Sequence, residues 1–270
     1  ISADEAKSLD KILAACKAKN KKFFMDVSNG WYISSFFLAA GGTVGVDESG
    51  RQTCDFDNAN GVKAGEAVKA VCANPVHVTG DDAVFTGGIG SSIAAGVSGA
   101  WNADAVKDKL GDNYAATKLP TVTMGGEQVQ LKSFAGYKLI GVNSATKQPI
   151  EAMKLAEWLT NEDNQLLRFK ERDAGPSNTN AANSAEVQAN IALTALAMQN
   201  EFGVSQRGIK STYWSPLEAF GTAMENKDYS KYHNVIFYKL EKIKQEDHLK
   251  YLILFTKLFI IDLNYWLNNF

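Results

Sequence analysis

The sequence predicts an α/β fold whose ligand-facing loops follow the carboxyl ends of strands, and three observations predict it. Lys21 to Gly42, KKFFMDVSNGWYISSFFLAAGG, opens with Phe23-Phe24-Met25 and Val27, an apolar run short and bulky enough for a buried strand. That run breaks at Ser28-Asn29-Gly30, meets Trp31 and Tyr32 at once, and passes into Ile33 to Ala40, a breaker-free stretch ended by Gly41-Gly42 that reads as a short, largely buried helix. The same order of breaker, large aromatic and helix start returns around Trp101, and the aromatic pair Tyr213-Trp214 again stands just before a helix start. Open α/β sheets bind ligands in the crevice outside the carboxyl ends of their strands.

The elements follow in order. Ser2 and Glu5 have capping-box spacing, and Ala6, Leu9, Ile12, Leu13 and Cys16 recur at helical spacing behind them, so one helix is expected up to Lys19-Asn20. The Gly- and Asp-containing stretch from Thr43 to Phe56 suits a hairpin or surface excursion. Asp57 or Asn58 caps a helix with Val62, Ala67, Val68 and Val71 on one face, ended before Pro75, and Asp81-Asp82 starts a short turn ending at Gly87-Gly88. Ile93 to Val97 reads as a strand; Gly99 breaks it, Trp101 follows, and Asn102 is placed to cap a helix stopped by Gly111. Gln128 to Asn143 holds two β-like runs around Gly136.

Pro149 stands where a first helical turn tolerates it, which predicts a helix to Leu159 with Ile150, Met153 and Ala156 on one face. Thr160 and Asp163 are expected to cap the next helix, with Leu166, Leu167 and Phe169, halted by Gly175-Pro176. Ser184 is expected to cap a longer one carrying Val187, Ile191, Ala195, Met198 and Phe202. Ser215-Pro216-Leu217-Glu218 combines an N-cap serine, a first-turn proline and a capping glutamate.

The whole chain has 270 residues, a net charge of −2 and 45% hydrophobic residues, which allows about two domains and fits neither a strongly basic nucleic-acid binder nor a disordered chain. Cys16, Cys54 and Cys72 form no CxxC or Cys/His cluster, so zinc is not expected. A Cys54–Cys72 disulfide stays open beside buried thiols. The opening at Ile1 reads as the middle of a domain, with any signal segment expected outside this sequence. Residues 231–270 contain no Ala, Gly, Pro, Ser, Arg or Met and read as a tail from another reading frame or source. Leu249 to Leu267 has the length of a membrane span, but Lys250, Lys257 and Asp262 inside it each cost roughly 2.5–3.5 kcal/mol at mid-bilayer depth, which argues against one.

Chemistry is poorly represented. His77 is the one histidine before the tail, and a solvent-exposed structural role is expected for it; Asp81-Asp82 and Glu162-Asp163 suit caps and surface charge. Gly87-Gly88-Ile89-Gly90 lacks the Lys-Ser/Thr of a phosphate loop, and Lys17 to Lys22 suits a solvated helix end. By contrast, Trp31, Tyr32, Trp101, Tyr213 and Trp214 offer ring faces on which the C–H face of a pyranose packs, with helix N-caps and asparagine amides nearby for its hydroxyls. Each ring taken singly is as readily a corner of the core.

The series LDKILAACKAKNKKFFMDVSNGWYISSFFLAAGG, DNANGVKAGEAVKAV, SGAWNADAVKDKLGDNYAATKLPTV, ATKQPIEAMKLAEWLTNEDNQ and YWSPLEAFGTAM resembles the extracellular solute-binding proteins of carbohydrate ABC transporters, the maltose-binding protein class, over roughly residues 5–228. Gly99-Ala100-Trp101 looks like the family's Gly-Pro-Trp element, Asn113 to Thr121 like its strand ending in Leu-Pro-Thr, and Tyr213-Trp214 like its late aromatic pair. Asn29, Gly30 and Trp31 occupy the positions of an acidic, proline and aromatic trio, with an amide in place of the carboxylate.

The resemblance implies a type II periplasmic-binding-protein-like fold of two α/β lobes joined by crossing strands and closing by hinge motion. It implies that residues 1–146 and 205–230 form the C-terminal, ligand-binding lobe, and that 147–204 are helices of an incomplete N-terminal lobe. Most of that lobe, about a third of such proteins, is expected outside this sequence, leaving a half-site of weak affinity. The ligand-binding set it implies is Asn29, Trp31, Tyr32, Trp101, Asn102, Tyr137, Tyr213 and Trp214, with Tyr137 where a strand crosses between lobes. It further implies a carbohydrate ligand, an ABC transporter permease as partner, no nucleic acid, no cofactor or metal, a monomer, and an extracellular or periplasmic location, as a lipoprotein in full-length form. Capture of a peptide or polyamine is the alternative, opposed by aromatic stacking with few cleft charges; a glycan-active hydrolase is the alternative from another class.

Overall fold

The computed structural model describes residues 1–229. The reading of residues 231–270 as an unrelated tail lies outside the described residues.

Helix α1 (Leu9–Ala18) leads into strand β1 (Lys22–Phe24) and helix α2 (Gly30–Ala39). The hairpin β2 (Val44–Val46) and β3 (Gln52–Cys54) precedes α3 (Ala59–Ala73), after which β4 (His77–Val78), α4 (Asp82–Gly88), β5 (Ile93–Gly96) and α5 (Ala103–Leu110) alternate. A second hairpin, β6 (Thr121–Met124) and β7 (Glu127–Gln130), is followed by β8 (Ser133–Ala135). Helices α6 (Pro149–Thr160), α7 (Glu162–Arg172), α8 (Thr179–Ala182), α9 (Ala185–Gln188) and α10 (Ile191–Asn200) come next, then β9 (Gly203–Ser205) and α11 (Trp214–Glu225).

The centre is a parallel three-stranded sheet in the order β4-β1-β5. Successive side chains of β1 point to opposite faces. Phe23 and Met25 therefore enter the main core with α1, α2, α3 and α11, while Phe24 enters a second cluster with Phe85, Ile89, Ile93 and Val106, stacked on Phe85 at 5.0 Å. Helix α2 is apolar on every side and is buried accordingly; of its residues only Trp31 stays half-exposed. A third, small cluster of Phe169, Val187 and Leu193 lies within the helical stretch, and β8 pairs in parallel with β9.

Several expectations shift by a few residues, each for a local reason. The Ser2–Glu5 capping box forms, Glu5 Oε2 accepting from Ser2 N–H at 2.6 Å and Ser2 Oγ from Glu5 N–H at 3.2 Å, but it opens only the 3-10 turn Glu5–Lys7. Ser8 is then extended and bridges to Thr121, so α1 starts afresh at Leu9. The second capping serine behaves likewise: Ser184 caps α9, but Asn190 accepts a hydrogen bond from Leu193 N–H and starts α10, dividing the one long helix expected there. Asn161, not Thr160 or Asp163, caps α7, because Thr160 Oγ turns back to the Ala156 carbonyl; the helix ends with Asp173 in the left-handed region, before Gly175-Pro176.

Pro149 takes the first turn of α6 as expected, yet the face with Ile150 and Met153 is exposed, at 59% and 55%. Helix α11 begins at Trp214, one residue before the expected Ser215 cap, since the 3-10 turn Ser211–Tyr213 feeds directly into it. The stretch before Thr121 forms no strand, and β6 begins where a strand was expected to end. Of the two β-like runs expected around Gly136, only the stretch ahead of it forms strands, β7 and β8, and residues 137–143 form none. Asn58 caps α3, Asp81 caps α4, Gly111 stops α5 with φ +53°, and the hairpin after Thr43 forms. Cys16, Cys54 and Cys72 are buried thiols, and no disulfide joins Cys54 to Cys72.

Candidate functional site

Three loops leave the central sheet at its carboxyl edge, and they build one site. After β1 come Asp26 and Asn29; the Asn29 side chain accepts from the Trp31 N–H at 2.9 Å, capping α2 and setting the half-exposed Trp31 on its first turn. After β4 come Asp81 and Asp82, at the start of α4. After β5 comes Trp101, 63% exposed, whose indole N–H donates to Asp82 Oδ2 at 2.9 Å. Parallel strands make this convergence possible, because all three carboxyl ends point the same way.

The result is an open hollow of about 270 Å³ lined by Asp26, Asn29, Trp31, Tyr32, Asp81, Asp82 and Trp101. Trp31 stands edge-on to Tyr32 at 5.7 Å and to Trp101 at 6.5 Å between ring centroids. Asp26 Oδ1 accepts from Ser28 Oγ at 2.8 Å and from Asn29 N–H at 3.1 Å, which shapes the loop. The Tyr32 hydroxyl is pushed up to about 12, by burial first and by the charges of Asp82 and Asp26 next, against hydrogen bonds with Ser98 and Gly99. It stays protonated at neutral pH, a donor as well as an acceptor.

The other candidates stand elsewhere. Tyr213 is fully buried, its hydroxyl 2.8 Å from Ser34 Oγ and its ring packed edge-on against Phe56, Phe134 and Trp214, so it presents no face to a ligand. Trp214 is half-buried behind the first turn of α2, where a Cβ on Gly30 would lie 3.3 Å from its ring, and does not line the hollow. Asn102 makes no cap hydrogen bond; its amide donates to Ser98 Oγ at 2.9 Å, because a 3-10 turn over Ala100–Asn102 runs straight into α5. Tyr137 is 74% exposed in a stretch without regular structure. The five-ring platform expected from sequence thus reduces to three rings.

His77 also departs from expectation. It is half-buried on β4, its ring Nε2 2.9 Å from the Met25 carbonyl, and burial holds its pKa below the usual histidine value. The lining carboxylates Asp26, Asp81 and Asp82 went unrecognised as a group, since β4 is only two residues long and left no strand signal ahead of Asp81. Among the described residues no group of His, Cys, Asp or Glu could hold a metal ion, and no helix is long and apolar enough to cross a membrane.

The chain belongs to the bacterial extracellular solute-binding protein family, which matches residues 2–195. The galactooligosaccharide-binding protein of Bacillus subtilis (strain 168) is 30% identical over 140 residues, 51% of this chain and 32% of that protein. A structure solved with acarbose is 33% identical, with a TM-score of 0.76 over 92% of this chain and 66% of the other. Maltodextrin binding protein MalE1 from L. casei BL23, solved without ligand, is 22% identical, with a TM-score of 0.76 over 90% of this chain and 66% of the other. The chain therefore spans 32% of the curated relative's length and 66% of each of these structures. The fold is the type II periplasmic-binding-protein-like fold, and the family is one of extracellular binding proteins.

Proposed function

We propose that this protein captures a carbohydrate, an oligosaccharide, and delivers it to the membrane permease of an ABC transporter without carrying out chemistry on it. The observation that carries this reading is the gathering of Trp31, Tyr32 and Trp101 around one hollow at the carboxyl edge of a parallel sheet. Flat rings match the C–H faces of pyranoses, and Asn29, the Tyr32 hydroxyl and the carboxylates offer partners for sugar hydroxyls. The relatives' names point the same way: a galactooligosaccharide-binding protein, a maltodextrin binding protein and a protein solved with acarbose. A role for His77 as a general base is disfavoured by its place on β4, outside the lining of the hollow.

In this reading residues 1–146 and 205–230 make the ligand-binding lobe, and 147–204, which hold a small cluster of their own, belong to the other lobe. The protein acts as a monomer outside the cytoplasm, anchored as a lipoprotein in its full-length form. A thermal-shift screen of the chain against oligosaccharides tests the capture step, because a ligand that binds only the native state stabilises it by ~2.7 kcal/mol at a hundred times its Kd. An oligosaccharide is expected to raise Tm, and Trp101→Ala to abolish the rise. A panel in which no sugar changes Tm, even at concentrations that would fill a weak half-site, overturns the reading.

A further inference from the structure

We propose that the hollow prefers a saccharide bearing a protonated amine to the same saccharide with a hydroxyl in that place, an inference that rests on the saccharide reading above. Asp26, Asp81 and Asp82 line the hollow together with Trp31, Tyr32 and Trp101, and no lysine or arginine lines it. None of the three carboxylates belongs to an ion pair among the described residues. Their hydrogen bonds come from neutral donors: Ser28 Oγ and Asn29 N–H for Asp26, Val84 N–H for Asp81, and the Trp101 indole for Asp82.

The amino ends of α2 and α4 oppose this charge, each by about half an elementary charge, which leaves a net of roughly −2 facing the ligand. A metal ion does not answer it, because no carboxylate cluster among the described residues closes on a single point. The carboxylates and the rings line the same open hollow, and such a surface suits a ligand that packs on aromatic faces and carries a cation. Both an ammonium and a hydroxyl make charge-assisted hydrogen bonds to a carboxylate, but only the ammonium brings a full positive charge, which also attracts the ring quadrupoles and the carboxylates beyond bonding distance. A free polyamine answers the charge without a pyranose face for the rings, so the rings favour an amino sugar.

The test is a tryptophan-fluorescence titration of the full chain with maltotriose, with maltotriose in which one primary hydroxyl is replaced by an amino group, and with spermidine. The aminated trisaccharide is expected to bind about tenfold more tightly than maltotriose at about 0.01 M salt. That advantage is expected to shrink at about 1 M, as the screening length falls from roughly 30 Å to roughly 3 Å. The variant D26N/D81N/D82N keeps the side-chain acceptor of the α4 cap and of the Trp101 bond and is expected to lose the advantage. Equal binding of the two trisaccharides, or an advantage that salt leaves intact, overturns the amine preference and leaves saccharide capture standing. Spermidine binding as tightly as the aminated sugar also overturns it, in favour of a site for cations alone. No response to either trisaccharide overturns both readings.

Discussion

Trp101 and Tyr213 are both large aromatics just ahead of a helix, and their surroundings separate them. The Trp101 ring is 63% exposed and held by one hydrogen bond to Asp82, so Trp101→Ala should change stability by no more than about 0.5 kcal/mol in a denaturant melt while removing the sugar-induced Tm rise. Tyr213→Phe should do the reverse. It deletes a buried hydroxyl 2.8 Å from Ser34 Oγ, but Ser34 keeps its bond to the Gly30 carbonyl, so a loss of about 1 kcal/mol is expected with the sugar response retained. A pair of melts with and without ligand checks both variants. If Tyr213→Phe lost the ligand response and Trp101→Ala kept it, the assignment of rings to site and core would be inverted.

At the scale of elements, α11 is the piece on which the site loops lean. Its residue Gly221 sits against the loop after β1, where a Cβ would come within 1.9 Å of the Val27 carbonyl oxygen, a distance no side chain tolerates. Near its carboxyl end, Glu225 accepts from the Ser28 N–H at 3.0 Å and from the Thr79 hydroxyl, tying the loops after β1 and β4 to one helix. Gly221→Ala is therefore expected to cost more than about 2 kcal/mol by displacing α11 or the loop, read as a lower denaturation midpoint. Asn29→Ala removes the α2 cap and should cost about 1 kcal/mol, whereas Asn29→Ser should recover most of it, since serine accepts the same N–H bond.

At the scale of the whole molecule, pH reports on how the central sheet is sealed. Burial lowers the His77 pKa from its ordinary 6.5, against the opposing pull of the Met25 carbonyl and Glu225. The unfolded chain then takes up a proton before the folded one does, so stability present above the unfolded value is lost as pH falls toward the folded value. The lowered carboxylates work in a more acidic window: Asp47, held at about 2 by hydrogen bonds from Ser49 and Arg51, weakens folding only below its ordinary 3.8. Wild type should lose Tm as pH falls through the ordinary histidine value and below it, and His77→Asn should flatten that slope. Parallel curves for the two proteins would show that His77 titrates alike in both states.

The sequence by itself determined the strand–loop–helix unit around β1, a helix start at Asp57 or Asn58, a turn start at Asp81-Asp82, the Gly111 stop and the buried α2, because each depends on neighbours within a few residues: an apolar run, a capping side chain or a helix-stopping glycine. The family likeness was legible too, through segments arriving in order. Only the tertiary structure decided that β4 and β5 flank β1 in parallel, and this is what brings Asp81, Asp82 and Trp101 to Trp31. It alone decided that Tyr213 is core while Trp101 is surface. Local pattern records that a ring stands before a helix; whether its face meets solvent or another ring depends on residues such as Phe56 and Phe134, distant in the chain and joined to it only by packing.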